Sequence, residues 1–343
     1  MGNQLTLFDF MIPDDRKEYT NVYEFISNLP VFFWGHQTND LYELDRPFIF
    51  NHIKYRIKVK RTRISKDVDE FLNGKDQDIL DTILYLTTLK DTKAEVCSNG
   101  KVRVRLSIYK IYKTLGGKIS YEDIKKGIQK LKETQLEIIP DTNQPYQIKW
   151  NCETIISQYM ITDSRFNNNT PDDETYIELS SAFSTAIVKG KVKLINFPKY
   201  MSLTNPISKY LYKQLTLFDI FSKDEEKIYH NKSLFEFLAN GGFMCDTTQN
   251  KNNTMYSFRK AMDELKDKGL VKDYHITDIK QGRKIIDYKL DFIKPSDNFI
   301  DENFKQRKKL RYRSKKKTKR IEDLLSYNWG LYLYDFNRML VWF

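Results

Sequence analysis

The sequence predicts an α+β chain in which one run of helices and strands is used twice, with a basic tail behind it. Three observations carry that expectation. The segments SYEDIKKGIQKLKETQLEII (120–139) and TMYSFRKAMDELKDKGLVKD (254–273) repeat one apolar pattern. Each is preceded by a short helical stretch and followed by strand-like residues. The charge is local: KQRKKLRYRSKKKTKR (305–320) holds 11 basic residues and no acidic one, which equals the net charge of +11 for the whole chain.

At 343 residues with 40% hydrophobic content, the chain is long enough for two domains with real cores. No apolar run approaches the roughly 18 residues that span a bilayer. No basic region followed by an apolar core opens the sequence, so a cytoplasmic protein without membrane contact is expected. Cys97, Cys152 and Cys245 form no CxxC pair and read as reduced packing residues.

Taken in order, residues 1–20 form a flexible N-terminal segment. It contains QLTLF at 4–8, a word that returns at 214–218. A first domain is expected over 50–150. Within it, HIKYRIKVKRTRISK (52–66) alternates Lys54, Arg56, Lys58 and Lys60 with Tyr55, Ile57, Val59 and Arg61. Period-two alternation predicts a strand with one apolar and one cationic face. Such a strand suits either a lysine-guarded sheet edge or a phosphate backbone. DQDILDTILYLTTL (76–89) has helical periodicity, and VRVRLSIYKIYKTLGG (102–117) reads as strand, short helix and glycine turn.

The helix at 120–139 comes next. The region 151–189 is expected as wing and linker, with the Asn/Asp-rich FNNNTPDDE as a loop. A second domain is expected over 190–295. Asn205 and Pro206 are good first residues for a helix through 221, and SLFEFLANGG (233–242) is a short helix stopped by glycines. CDTTQNKNN reads as a loop leading to the helix at 254–273, where Gly269 suits a left-handed end position. A hairpin with its tip at Lys280–Lys284 follows. Residues 296–343 hold the basic tail and an aromatic segment.

Aligning the two helices places Ile124 on Phe258, Ile128 on Met262, Leu131 on Leu265 and Leu136 on Leu270. Lys125 and Lys126 fall on Arg259 and Lys260, and Lys132 on Lys266. Helix, short helix, turn, cationic helix and basic hairpin is the order of a winged helix-turn-helix, so tandem domains of that kind are expected. In such a motif one helix enters the major groove and the hairpin reaches phosphates. Double-stranded DNA is therefore the expected partner. The expected contacts are Lys125, Lys126, Gln129 and Lys130 from the first helix. From the second come Asn253, Tyr256, Ser257, Arg259 and Lys260, with Lys280, Arg283 and Lys284 from the hairpin. Non-specific contacts fall to Lys54, Arg56, Lys58 and Lys60 of the strand and to Arg307, Lys308, Arg311, Arg313 and Lys316 of the tail.

No catalytic constellation accompanies these residues. His36, His52, His230 and His275 form no His-x-His pair, and none has Arg three residues later. Gly117-Lys118 lacks the upstream glycine and following hydroxyl of a P-loop. Neither HExxH nor CxxC occurs, so no metal or cofactor is expected. A DNA-binding protein without enzymatic activity is the reading.

The sequence resembles the plasmid replication initiator protein A family, bacterial initiators of two winged-helix domains. The resemblance is carried by QLTLFDF near the start, KDQDILDTILYLTTL, LINFPKYMSLTNPISKYLYKQL, NKSLFEFLANGG and MYSFRKAMDELKDKGLVKDY. It implies binding to repeats at a plasmid origin, opening of adjacent AT-rich DNA, and recruitment of host proteins such as the host initiator and replicative helicase. It admits a homodimer. QLxLF is also similar to the peptide by which bacterial replication proteins dock on the sliding clamp. Gln4, Leu5, Leu7 and Phe8 would make that contact, with Leu7 and Phe8 as apolar anchors. The second copy lies inside the predicted helix from Asn205, where it reads as packing. A tandem winged-helix repressor and a non-specific clamp-to-DNA adaptor are the alternatives.

Overall fold

A computed structural model describes residues 19–23, 26–27, 29–34, 42–50, 53–65, 68–89, 92–140, 150–161, 176–189, 192–217, 227–229, 233–243, 245 and 247–293. The chain is mixed helix and sheet. In its first half, α1 (Gly74–Leu86), α2 (Ile108–Thr114) and α3 (Tyr121–Glu133) pack on one another. Asn73 starts α1 with a reciprocal cap. Its side chain accepts the Lys75 N–H at 2.9 Å, and Asp76 Oδ2 accepts the Asn73 N–H at 2.8 Å. Ser107 and Ser120 cap α2 and α3 by accepting the Lys110 and Asp123 N–H groups. Gly116 and Gly117, at φ +65° and +73°, turn the chain between those helices in a region that glycine enters without steric cost.

Strands frame these helices. β2 (Glu43–Phe50), β3 (Ile53–Lys60), β8 (Leu136–Pro140) and β9 (Trp150–Glu153) form one antiparallel sheet in that order. β4 (Thr62–Ser65) pairs with β5 (Val68–Glu70). A second sheet runs β10 (Ile156–Met160), β11 (Tyr176–Leu179), β7 (Val102–Arg105) and β6 (Lys93–Val96). One hydrophobic core extends from Leu29 to Ile187. Residues 151–189, expected as wing and linker, give it Ile155, Ile156, Ile177, Leu179 and Phe183, the last on α4 (Ser181–Lys189).

The second half repeats the helical order. β12 (Val192–Asn196) pairs with β1 (Tyr19–Tyr23) and leads through α5 (Phe197–Ser202) to α6 (Pro206–Leu217). Next come β13 (Lys227–Tyr229), α7 (Leu234–Asn240), α8 (Thr248–Asp267) and the hairpin of β14 (Asp273–Gln281) and β15 (Lys284–Ile293). β15 lies between β13 and β14. The helix α8 starts in the stretch expected to be a loop. Thr247 caps it by accepting the Asn250 N–H at 3.1 Å, and the Lys251 ammonium sits 4.9 Å over the Phe235 ring, fixing the first turn.

Glu264 of α8 ties the start of α6 in place. Its carboxylate accepts the Thr204 N–H at 2.6 Å, the Thr204 hydroxyl at 2.9 Å, the Asn205 N–H at 3.2 Å and the Ser208 hydroxyl at 2.5 Å. The Asn205 side chain in turn accepts the Ile207 N–H at 2.9 Å, the cap expected there. These two acceptors satisfy backbone N–H groups that a helix start leaves open.

The halves meet across a buried ionic joint. The Lys209 ammonium lies 2.6 and 2.7 Å from the two Asp78 oxygens, and Lys213 lies 2.7 and 2.6 Å from those of Asp81. The Tyr200 hydroxyl also donates to Asp81, and its ring lies under both ammonium groups at 5.6 and 5.0 Å. Beside it, Tyr85 of α1 stacks on Phe197 of α5 at 4.0 Å. On another side Trp34 stacks on Phe243 at 5.7 Å and donates to the Gly241 carbonyl, while its ring fills the space over Gly74 at the start of α1.

Removing one partner of a buried ion pair strands the other charge, at a cost of about 3–5 kcal/mol. Asp81→Ala is therefore expected to lower unfolding free energy by about that amount in urea denaturation, as Lys213 is only 7% exposed. Glu264 supplies a pH-dependent contribution. Burial alone would raise its carboxyl, but the Ser208, Thr204 and Asn205 donors outweigh burial and hold it below its usual value. A lowered carboxyl stabilises above the unfolded value, about 4.3, and that stability is lost as pH falls through the folded value. Glu264→Gln is expected to cost about 1–3 kcal/mol at pH 7 and to flatten the acid limb of a stability–pH curve.

Candidate nucleic-acid interface

The aligned stripes are buried in both copies. Ile124, Ile128, Leu131 and Leu136, like Phe258, Met262, Leu265 and Leu270, are each 4% exposed or less. The repeat is therefore a repeat of packing as well as of letters. In the first copy α3 comes close to α1 at Gly127, where a Cβ would run into Ile79. In the second, α8 ends as its sequence indicated, with Gly269 at φ +67° and the Leu270 N–H donating to Leu265 O at 2.8 Å.

The outward side of α3 is largely engaged with itself. Lys125 lies 3.5 Å from Glu122, and Gln129 donates to Glu133 at 2.9 Å. Lys126 is exposed. Lys130 departs from expectation. It is 3% exposed, with its ammonium 2.6 Å from Asp76 and 3.1 Å from Glu70. It is thus withdrawn from any groove and serves instead to hold α3 against the start of α1. Burial pushes the Asp76 carboxyl up, and Lys130 and the Asn73 N–H pull it back only in part.

The outward side of α8 differs. Asn253, Tyr256, Arg259 and Lys260 are exposed, Tyr256 at 63%. The Lys260 ammonium lies 4.4 Å over the Tyr256 ring. Ser257 is half-buried, and its carbonyl accepts from the Asn205 side chain at 2.9 Å, so only its side chain is available to a ligand. Because the helix begins six residues earlier than expected, Gln249 and Asn252 share this exposed side. Their spacing from Asn253 and Tyr256 was the signal that could have found them. Toward the other end the helix turns acidic and is tied to the hairpin. Asp263 accepts from Tyr274 at 2.6 Å, and Lys266 pairs with Asp273 at 2.9 Å. Burial and the Asp263 carboxylate raise the Tyr274 phenol to about 12.

The hairpin turns through Gly282 and Arg283, with Gly282 at φ +63° as a two-residue turn requires. Lys280, Arg283 and Lys284 are all exposed at this end, together with Ile279, Ile285 and Ile286. Lys280 is 3.7 Å from Asp278.

The cationic strand is β3. Tyr55, Ile57 and Val59 are buried as the alternation indicated, and the Arg61 guanidinium stacks 5.0 Å over Phe71. It is not a sheet edge, because β2 and β8 flank it on both sides. Arg56 pairs with Asp45 at 2.9 Å and Lys58 with Glu43 at 3.6 Å, whereas Lys54 and Lys60 are exposed cations of that face. In the second QLTLF, Gln214 is buried and donates to Ser27 O at 3.3 Å, and Thr216 and Leu217 continue α6. Gln4, Leu5, Leu7, Phe8, Phe218, the FNNNTPDDE stretch and Arg307, Lys308, Arg311, Arg313 and Lys316 lie outside the described residues.

No protein-family model matches this chain. No curated protein matches it. Among solved structures, it is similar to domains 2 and 3 of RctB at TM-score 0.44 and 12% identity, over 79% of this chain and 99% of that one. It is also similar to a Pi initiator protein in complex with iteron DNA at TM-score 0.43 and 17% identity, over 65% of this chain and 91% of that one. Likeness at this depth carries no functional weight. Among the described residues, no helix is long and apolar enough to cross a membrane.

The altered role of Lys130 gives a clear expectation. Lys130→Met should cost about 3–5 kcal/mol of stability, since Asp76 is left buried without its cation. In DNA titrations corrected for the folded fraction, it should leave affinity unchanged.

Proposed function

We propose that this protein is a sequence-specific DNA-binding initiator of plasmid replication, built on tandem winged-helix domains and without enzymatic activity. One observation carries the reading. The order of helix, short helix, helix and strand pair occurs twice, and in the second copy the helix face is exposed and polar and the hairpin tip exposed and basic. A recognition helix in the major groove with hairpin cations on flanking phosphates uses both features at once. Lys126, Asn253, Tyr256, Arg259 and Lys260 are the helix contacts in this reading, with Lys280, Arg283 and Lys284 on phosphates. Lys54, Lys60 and the tail cations Arg307, Lys308, Arg311, Arg313 and Lys316 add sequence-independent attraction.

The initiator role, in preference to repression alone, rests on the sequence resemblance and on QLTLF at 4–8. In this reading Gln4, Leu5, Leu7 and Phe8 dock on the bacterial sliding clamp. The protein binds repeats at an origin, opens adjacent AT-rich DNA and recruits host replication proteins in the cytoplasm.

A nuclease footprint over DNA flanking the gene, with excess competitor, tests the reading. Several evenly spaced protections in one orientation beside an AT-rich stretch are expected. A single protection over a promoter would favour a repressor, and no protection would leave only non-specific binding through the tail. Arg283→Ala should weaken binding to all sequences alike. It should also reduce the slope of log affinity against log salt by about one, measured by titration over a salt series.

A further inference from the structure

We infer that the first turns of α8 read adenines, so that the part of the site they face is fixed by A·T pairs in the major groove. This rests on the proposal that α8 is a DNA-recognition helix and names what that helix selects.

Several polar side chains stand on one line of the helix. Gln249, Asn253, Tyr256 and Lys260 follow one another at spacings of four, three and four, and Asn252 flanks them. Residues so spaced share a helix side, and this side is opposite the buried Met255, Phe258, Ala261, Met262 and Leu265. All five outward residues are exposed. A carboxamide offers one donor and one acceptor side by side. That pair matches the N6 donor and N7 acceptor that adenine alone presents in the major groove. The exposed Tyr256 ring, under Lys260, is an apolar surface suited to the thymine methyl group.

The first turns lack the groups that would read the other pair, and Arg259 and Lys260 follow only in the next turn. Thr248–Phe258 contains no arginine, aspartate or glutamate. Its one cation, Lys251, has its ammonium over Phe235. Guanine is read by Arg or Lys and cytosine by carboxylates.

Two independent observations point to a ligand on this face. Asparagine is a poor helix former, costing up to about 0.7 kcal/mol per residue against alanine. The outward side of α3, by contrast, carries Glu122, Lys125, Lys126, Gln129, Lys132 and Glu133, all good helix formers. Asn252 and Asn253 on a solvent face are therefore unfavourable for folding and gain nothing from packing. Charge is also divided along α8. Arg259 and Lys260 stand next to the amide stretch and are exposed, whereas Asp263 and Asp267 lie beyond them, mixed with Lys266 and Lys268. A polyanion laid along the amide end meets two exposed cations and no carboxylate, whereas the far end presents charges of both signs.

The test selects sites from a randomised duplex library with the full chain, then replaces each enriched adenine by 7-deazaadenine, which lacks the N7 acceptor. The expected result is an enriched site with A·T at several fixed positions. At one or more of these the deaza base should weaken binding roughly tenfold. That sensitivity should vanish in Asn253→Ala or Asn252→Ala, which improve helix propensity and so preserve the fold. Enriched sites whose fixed positions are G·C, or sites insensitive to deaza substitution, would overturn the inference while leaving sequence-specific binding intact. Failure to enrich any sequence would overturn both.

Discussion

The arrangement depends on two lysines held by two aspartates. Lys209 and Lys213 stand one turn apart on α6, Asp78 and Asp81 one turn apart on α1, and the pairs close on each other around the Tyr200 ring. Each carboxylate and ammonium is mostly withdrawn from water, so neither pair can be opened without stranding a charge. Because α1 packs on α3 and α6 packs on α8, this joint fixes the two repeated helices relative to one another. Trp34, stacked on Phe243 and lying over Gly74, closes the same junction from the N-terminal side. Two copies of one motif thereby become a single body.

Within that body the copies differ in a consistent direction. The first keeps its packing stripe, pairs Lys125 with Glu122 and Gln129 with Glu133 along its outward side, buries Lys130 against Asp76 and leaves Lys126 exposed. The second keeps the stripe and leaves its outward groups exposed. Its Glu264, a carboxylate on the same helix as those cations, is turned inward to hold the start of α6. One pattern thus serves support in one place and contact in another. The difference lies in a few side chains and not in the backbone plan.

Local features were legible in the sequence because local physics sets them. The stripe from Ile124 to Leu136 and its counterpart from Phe258 to Leu270 follow helical spacing. Asn205 and Pro206 announce a helix start, Gly269 a helix end, and Gly282 a hairpin turn. Four features were not legible. The start of α8 at Thr248 lies in a polar run with no apolar period, and it is the Thr247 cap and the Lys251–Phe235 contact that stabilise it. Lys130 sits beside its stripe and resembles a surface cation until Asp76, more than fifty residues earlier, closes on it. β3 suited either a lysine-guarded edge or a phosphate backbone, and the sequence could not exclude the edge because its neighbours β2 and β8 are assigned by tertiary pairing alone. The joint itself links residues 131 and 132 positions apart, a separation over which sequence pattern carries no pairing information.

The Lys209–Asp78 and Lys213–Asp81 pairs join the two copies, which are expected to unfold as one cooperative unit. Native-state hydrogen exchange across a urea series, read by mass spectrometry on the full chain, tests it most directly. Peptides from α1 and α3 and from α6 and α8 are predicted to lose protection at the same urea concentration, in one step. Loss of protection in α6 and α8 at clearly lower urea, with α1 and α3 still protected, would contradict it.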